Sequence, residues 1–219
     1  MNKNEPILIA CEESGTVTES FIGDGFTNVF SCDMLETSGK YSDRHIVGDV
    51  LPIINGKCSF KTSDGVHHRI DTKFSLIIAF PPCTHLAVSG AAWFKKKIAD
   101  GRQQQGIDFF MLFANADCEK TAIENPIGIM STKWKKPSQI IQPWMFGHTE
   151  KKATCLWLKG LPKLKETNNV KKEMEGLPKN IQERIHYLPP SPDRSKMRSK
   201  TFHGIAEAMA NQWGRESND

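Results

Sequence analysis

Phe74-Ser75-Leu76-Ile77-Ile78-Ala79-Phe80-Pro81-Pro82-Cys83 is the stretch whose reading decides the fold. Its apolar run has the character of a strand covered on both faces, and the prolines end it because neither can donate to a sheet ladder. A strand buried on both sides implies a sheet with helices above and below.

The same pattern repeats in both directions along the chain. Upstream, Pro6 to Ala10 is a short apolar run, followed by the turn Cys11-Glu12-Glu13-Ser14-Gly15 and a helical pattern from Val17 to Ile22 that stops at Gly23 and Gly25. Thr27 to Cys32 gives a second strand closing on Asp33, and His45 to Val47 a third closing on Gly48-Asp49. Lys57 to Thr62 and Val66 to Asp71 alternate around Ser63-Asp64-Gly65, a hairpin signature. Downstream, Gln103 to Cys118 carries a helical apolar face, and Thr121 to Ile123 leads into Glu124-Asn125-Pro126. Ala153 to Leu158 reads as a further strand, Leu188 to Pro192 as a connecting loop and Ile205 to Trp213 as a closing helix.

Strands alternating with helices predict an α/β fold, a mostly parallel sheet with helices on both faces. At 219 residues the chain suits one such domain. The expected layout is a core over 1–130 with a hairpin insertion at about 57–71, a small basic substrate-binding region over 131–200, and a C-terminal helix over 201–219 that returns to the core. In a parallel sheet ligands bind at the carboxyl ends of the strands. Five such ends carry chemistry here: Cys11 to Gly15, Asp33, Asp49, Pro81 to Cys83, and Glu124 to Pro126.

An acid ending the second strand can accept both ribose hydroxyls, and a small turn after the first strand lets backbone amides approach a ligand. Gly15 stands without a G-x-G-x-x-G pattern, which favours a nucleoside carrying an amino acid over a dinucleotide. Singly, Asp33 or Asp49 reads equally well as a turn residue; their joint placement points to a pocket. Cys83 follows two prolines that stiffen the chain, so its thiol is presented as a rigid nucleophile.

Phe80-Pro81-Pro82-Cys83-Thr84-His85 with Ser89, Glu124-Asn125-Pro126, Gly48-Asp49 and Asp33 together resemble the motifs of the DNA cytosine carbon-5 methyltransferases, in order and approximate spacing across residues 7 to 126. That resemblance implies a Rossmann-like methyltransferase fold that binds S-adenosyl-L-methionine through Cys11, Glu12, Gly15, Asp33, Met34, Asp49, Val50 and Pro81. It implies Cys83 and Glu124 as catalytic residues, the first adding to carbon 6 of cytosine and the second donating to ring nitrogen 3. Pro82, His85, Ser89, Lys95, Lys96, Arg102, Asn125 and Pro126 would then face the substrate. The partner implied is DNA, single-stranded or with its target base flipped out. RNA, a free cytosine nucleotide, or a silent protein that binds cofactor and nucleic acid are the alternatives. Ala10 to Gly15 replaces the family's Gly-rich turn, and no Gln-x-Arg-x-Arg strand is recognisable in Ala153 to Leu158. The residue that would stabilise the attacked base is thereby unassigned.

Residues 131 to 200 carry 16 Lys or Arg against 6 Asp or Glu, whereas the remainder carries 13 against 19. This local excess suits a polyanion. Lys95, Lys96, Lys97 and Arg102 follow Trp93 and Phe94 in what reads as a long loop, and Trp134 and Trp144 repeat the basic and aromatic mixture. Base stacking and core packing both fit these tryptophans. Six cysteines without a CxxC pair, no secretory layout at the amino terminus and no apolar run long enough to span a membrane lead to a cytoplasmic expectation. No metal site is expected, since His67 and His68 point to opposite faces of their strand. The compactness suggests a phage-like member.

Overall fold

A computed structural model describes residues 1–215. Seven strands form the main sheet: β1 (Ile7–Ala10), β2 (Val29–Asp33), β3 (His45–Val47), β6 (Leu76–Ala79), β7 (Thr121–Pro126), β8 (Gln139–Ile141) and β9 (Thr154–Lys159). The remaining two, β4 (Cys58–Lys61) and β5 (His67–Ile70), form the separate antiparallel hairpin expected between Lys57 and Asp71. The sheet order is β3-β2-β1-β6-β7-β9-β8. The first five strands are mutually parallel, whereas β9 runs antiparallel to both its neighbours. The fold is the expected α/β architecture, a mostly parallel sheet flanked by helices.

Alternation along each strand divides the interior in two. Leu8, Ala10, Phe30, Ile77, Ala79 and Ile123 face one layer, which packs on Phe110 and Phe113 of helix α3 (Arg102–Ala114). Ile7, Ile9, Val29, Leu76, Ile78 and Ala122 face the other, which packs on helix α1 (Thr16–Gly23) and the closing helix His203–Trp213. All four residues of β1 are fully buried, as are all four of β6. At about 25 cal/mol per Å² of apolar surface, this double coverage holds the parallel strands in register.

Several elements depart from their expected bounds. The helix read from Gln103 to Cys118 ends at Ala114, and Ala116 and Cys118 continue into the core as an irregular turn. The segment after Cys83 is helical: Val88–Trp93 is a 3₁₀ stretch and Phe94–Ala99 is helix α2. β8 and β9 lie within 131–200 but belong to the main sheet, so that region contributes two strands to the core sheet. The closing helix is in place, and the last part of the 201–219 segment, 216–219, lies outside the described residues. No helix among the described residues is long and apolar enough to cross a membrane.

Candidate active site

Because β1, β2, β3, β6 and β7 run the same way, their carboxyl ends share one rim. The order reverses between β1 and β6, where an open α/β sheet leaves a crevice. β9 runs the other way and delivers its beginning to this rim, so residues just before Thr154 join the site.

On the β1 to β3 side the chain turns sharply at Cys11, whose φ of 59° lies in the left-handed region. Its amide and that of Glu12 donate to the Cys32 carbonyl at 2.7 and 3.3 Å. Glu12 is buried, and its carboxylate accepts the backbone amides of Val17 at 2.6 Å and Thr18 at 3.2 Å and the Thr18 hydroxyl at 2.6 Å. Burial pushes this carboxyl up to about 7, against the pull of the hydrogen bonds from Thr18 and Val17. The side chain is thus committed to the start of α1. It fills the place where such a fold holds a phosphate, at the free amides of the first helix. Gly15, at φ 67°, lies so close to Gly39 that a Cβ would stand 3.1 Å from the Gly39 Cα.

Asp33 and Asp49 end β2 and β3's exit, each with one carboxylate oxygen holding a tight turn, to Leu35 and Leu51 amides at 3.0 Å. Both lie near Cys11, whose thiol is driven far up by burial first and then by Asp33, Cys32 and Asp49. Met34, 70% exposed, flanks the acids, and Val50 is buried beneath them. The sequence left one supporting residue unnoticed. His45 is fully buried; its Nδ1 lies 2.9 Å from the Ser31 hydroxyl and its Nε2 lies 2.8 Å from the Leu35 carbonyl, fastening β3 to the loop after Asp33.

On the β6 to β7 side, Pro81 is buried, Pro82 exposed and Cys83 half-buried. The Cys83 carbonyl accepts the Leu86 and Ala87 amides, each at 2.9 Å, which closes the turn. Asn125, 2% exposed, donates from Nδ2 to the Pro81 carbonyl at 2.7 Å and ties this turn to β7. Burial raises the Cys83 thiol above its ordinary value and nearby Glu124 raises it further, while Lys152 and then Arg198 pull it back. Burial likewise raises the Glu124 carboxyl, with Lys152 and a hydrogen bond from Thr154 opposing. Cys83, Glu124 and Lys152 therefore form one electrostatic cluster. Pro126 pairs with Thr154 across the β7–β9 ladder, which sets Lys152 at this end of the sheet.

The tail of the basic region comes back over the rim. Lys152 donates to the Lys200 carbonyl at 3.2 Å, and Lys196 pairs with Glu13 Oε1 at 2.7 Å. The helix Arg194–Ser199 thereby carries Arg198 toward Cys83.

The other expected substrate residues lie on the helical segment beyond Cys83. His85 is half-buried, its Cβ 3.4 Å from the Cβ position of Gly106 on α3, and burial, then Lys97 and Arg102, lower its imidazole pKa. Ser89, Lys95, Lys96 and Arg102 are exposed, and Arg102 is bound through Nε to Asp100 at 2.9 Å. Lys97 is instead buried. Of the tryptophans, Trp134 packs edge-on against Phe110 at 5.8 Å, a core contact, and Trp144 lies under the Lys171 ammonium at 5.4 Å.

No protein-family model and no curated protein matches this sequence. A crystal structure described as that of a candidate DNA modification methyltransferase encoded within a prophage (E. coli) is similar, with a TM-score of 0.45 and 16% sequence identity. The similarity covers 80% of this chain and 56% of that one, so this chain spans little more than half of that protein's length.

Proposed function

We propose that this chain methylates carbon 5 of cytosine in DNA, with S-adenosyl-L-methionine as methyl donor and a transient covalent bond from Cys83. The observation that carries the reading is the joining of Cys83 and Glu124 at the ends of adjacent parallel strands, beside a crevice whose far side presents Asp33 and Asp49.

The donor set fits this cofactor better than a dinucleotide. Glu12 occupies the helix amides that a pyrophosphate would need, and two acids near Cys11 suit ribose hydroxyls and an adenine amine. Bound there, S-adenosyl-L-methionine would supply an electrophilic methyl group.

The chain's own residues do the rest. Asn125 and the two amides on the Cys83 carbonyl hold the nucleophile turn rigid, which keeps the thiol in an attacking position. Cys83 releases its proton to solvent and its thiolate Sγ bonds to carbon 6, while Glu124, kept protonatable by its burial, places a proton on ring nitrogen 3 and is left as carboxylate. The electron pair displaced from the carbon 5–carbon 6 double bond makes carbon 5 nucleophilic, and once methylated it loses its proton to solvent. The S–C6 bond then breaks and the nitrogen proton returns to Glu124. Lys152 stabilises thiolate and carboxylate alike and fills the electrostatic place that no strand arginine takes. Lys196, Arg198 and Lys200 put positive charge where a nucleic-acid backbone would pass.

DNA containing 5-fluorocytosine tests this directly. Fluorine cannot leave as a proton, so the adduct should persist as a denaturation-resistant complex in wild type and be absent in Cys83→Ser. Methylation of cytosine by Cys83→Ser would overturn the mechanism. Labelled methyl groups found in RNA or free nucleotide but not in DNA would move the substrate and leave the chemistry intact.

A further inference from the structure

Three lysines in a row follow Trp93 and Phe94, and only the third turns inward. Lys97 is 8% exposed, whereas Lys95 and Lys96 face solvent. Its ammonium donates to the Thr84 carbonyl at 2.5 Å and packs over Gly90, where a Cβ would stand 3.3 Å from Nζ. Among the described residues no carboxylate lies within ion-pair distance of it. The stem is what lies buried, and a neutral aliphatic side chain would fill that space without placing a donor against the Thr84 carbonyl. The one thing the charge obtains here is a strong hydrogen bond to the peptide that follows Cys83.

We infer that Lys97 is the positioning residue of the nucleophile: by gripping the Thr84 carbonyl from helix α2 it sets the Cys83 turn, and it does so only while the Val88–Ala99 segment is docked. This deepens the proposed function and rests on Cys83 being its nucleophile. The rest of the turn is held from within, by Asn125 of β7 and by the segment after β7, where the Ile129 amide donates to the Leu86 carbonyl at 2.9 Å and the Val88 amide to the Ile127 carbonyl at 3.0 Å, so the grip of Lys97 is the restraint that comes from α2. The segment's outer face carries Val88, Trp93 and Ile98 at 52, 64 and 62% exposure, with Lys95 and Lys96 between them.

Lys97→Met keeps the length and apolar stem and removes the donor. Burial is the leading cause of the raised Cys83 thiol, so a loosened turn should expose it. Iodoacetamide labelling of Cys83, quantified on its own peptide, should accelerate at least threefold over wild type, and kcat should fall about tenfold or more with KM changed less than threefold. Lys97→Arg, which restores a charged donor, should recover most of both effects. Hydrogen exchange at the Leu86 and Ala87 amides reads the same turn and should speed up in Lys97→Met. If that variant does not fold, Lys97→Leu, which also lacks a donor, takes its place in the labelling and exchange measurements. Labelling and exchange within twofold of wild type in a folded variant would overturn the inference. A wild-type protein that never methylates cytosine would sink the proposed function while leaving the Lys97 to Cys83 coupling measurable through labelling and exchange.

Discussion

Replacing Glu12 by Gln separates the charge of that side chain from its shape. The carboxyl rises from an ordinary 4.5 to about 7 in the folded protein, chiefly through burial. A group whose folded pKa is raised binds more protons folded than unfolded between the two values, so stability is fully present below 4.5 and is lost as pH climbs through 7. At about 1.4 kcal/mol for each tenfold change in proton affinity, the loss across that window is roughly 3 kcal/mol. Gln has one oxygen to offer the Val17 and Thr18 amides instead of two, which adds a constant cost of about 1–2 kcal/mol with no pH dependence. Urea unfolding of both proteins at pH 5, 6, 7 and 8 gives the stability difference directly. Relative to Glu12→Gln, wild type should be most stable at pH 5, ahead by about 1 kcal/mol or less, and should fall behind it by pH 8, a swing of about 2.5 kcal/mol. A difference constant to within about 0.5 kcal/mol over the whole range would refute the reasoning, because it would mean that Glu12 stays ionised at the helix start and that the three hydrogen bonds outweigh burial.

Asn125→Ala leaves the buried Pro81 carbonyl without its donor, at about 1–3 kcal/mol, and calorimetry should show the melting temperature down by several degrees with cofactor affinity retained and turnover reduced. Lys152→Met removes a cation that lowers both the Cys83 thiol and the Glu124 carboxyl, so Cys83 alkylation at pH 8 should slow and its pH midpoint move upward, opposite in sign to Lys97→Met. His148 accepts the Gly204 amide at 2.9 Å at the start of the closing helix, and its pKa is lowered by burial and by His203, with Glu150 and Glu207 opposing. Its contribution is full above the ordinary histidine value and fades as pH falls below it; denaturation between pH 7 and 5 should show a shallower loss in His148→Gln.

The parallel core was legible because burial on both faces writes itself into β1 and β6 as apolar runs, and turn residues mark where they end. The hairpin was legible through alternation around Ser63 to Gly65. β8 escaped notice: it is a three-residue edge strand with a single buried side chain, too short for any period to register. The direction of β9 was equally hidden, since alternation and apolar content are the same read either way. Glu12 was legible as a residue of the first turn, but five positions separate it from the Val17 amide, and no common capping spacing announces that contact. Lys97 carries the same letter as Lys95 and Lys96, and helix phase against a packed neighbour alone distinguishes it. Lys152 and Arg198 sit in a basic stretch that reads as undifferentiated charge; only the pairing of β9 with β7 and the returning tail select these two.

The reversed strand also governs where such a chain can grow. In the parallel strands the segment leaving the strand lies at the rim that carries Asp33, Cys83 and Asn125; for β9 it is the segment entering the strand that does. Extra chain inserted between Ile141 and Thr154 would therefore extend the wall beside Cys83 and Glu124, whereas chain added after Lys159 emerges at the opposite edge, where Gly160 packs against the Glu119 carbonyl. A module grafted at Gly147, which is exposed and already in a left-handed turn, would leave from the loop that feeds β9 without disturbing a strand. The same module placed at Gly160 would leave from the opposite edge of the sheet.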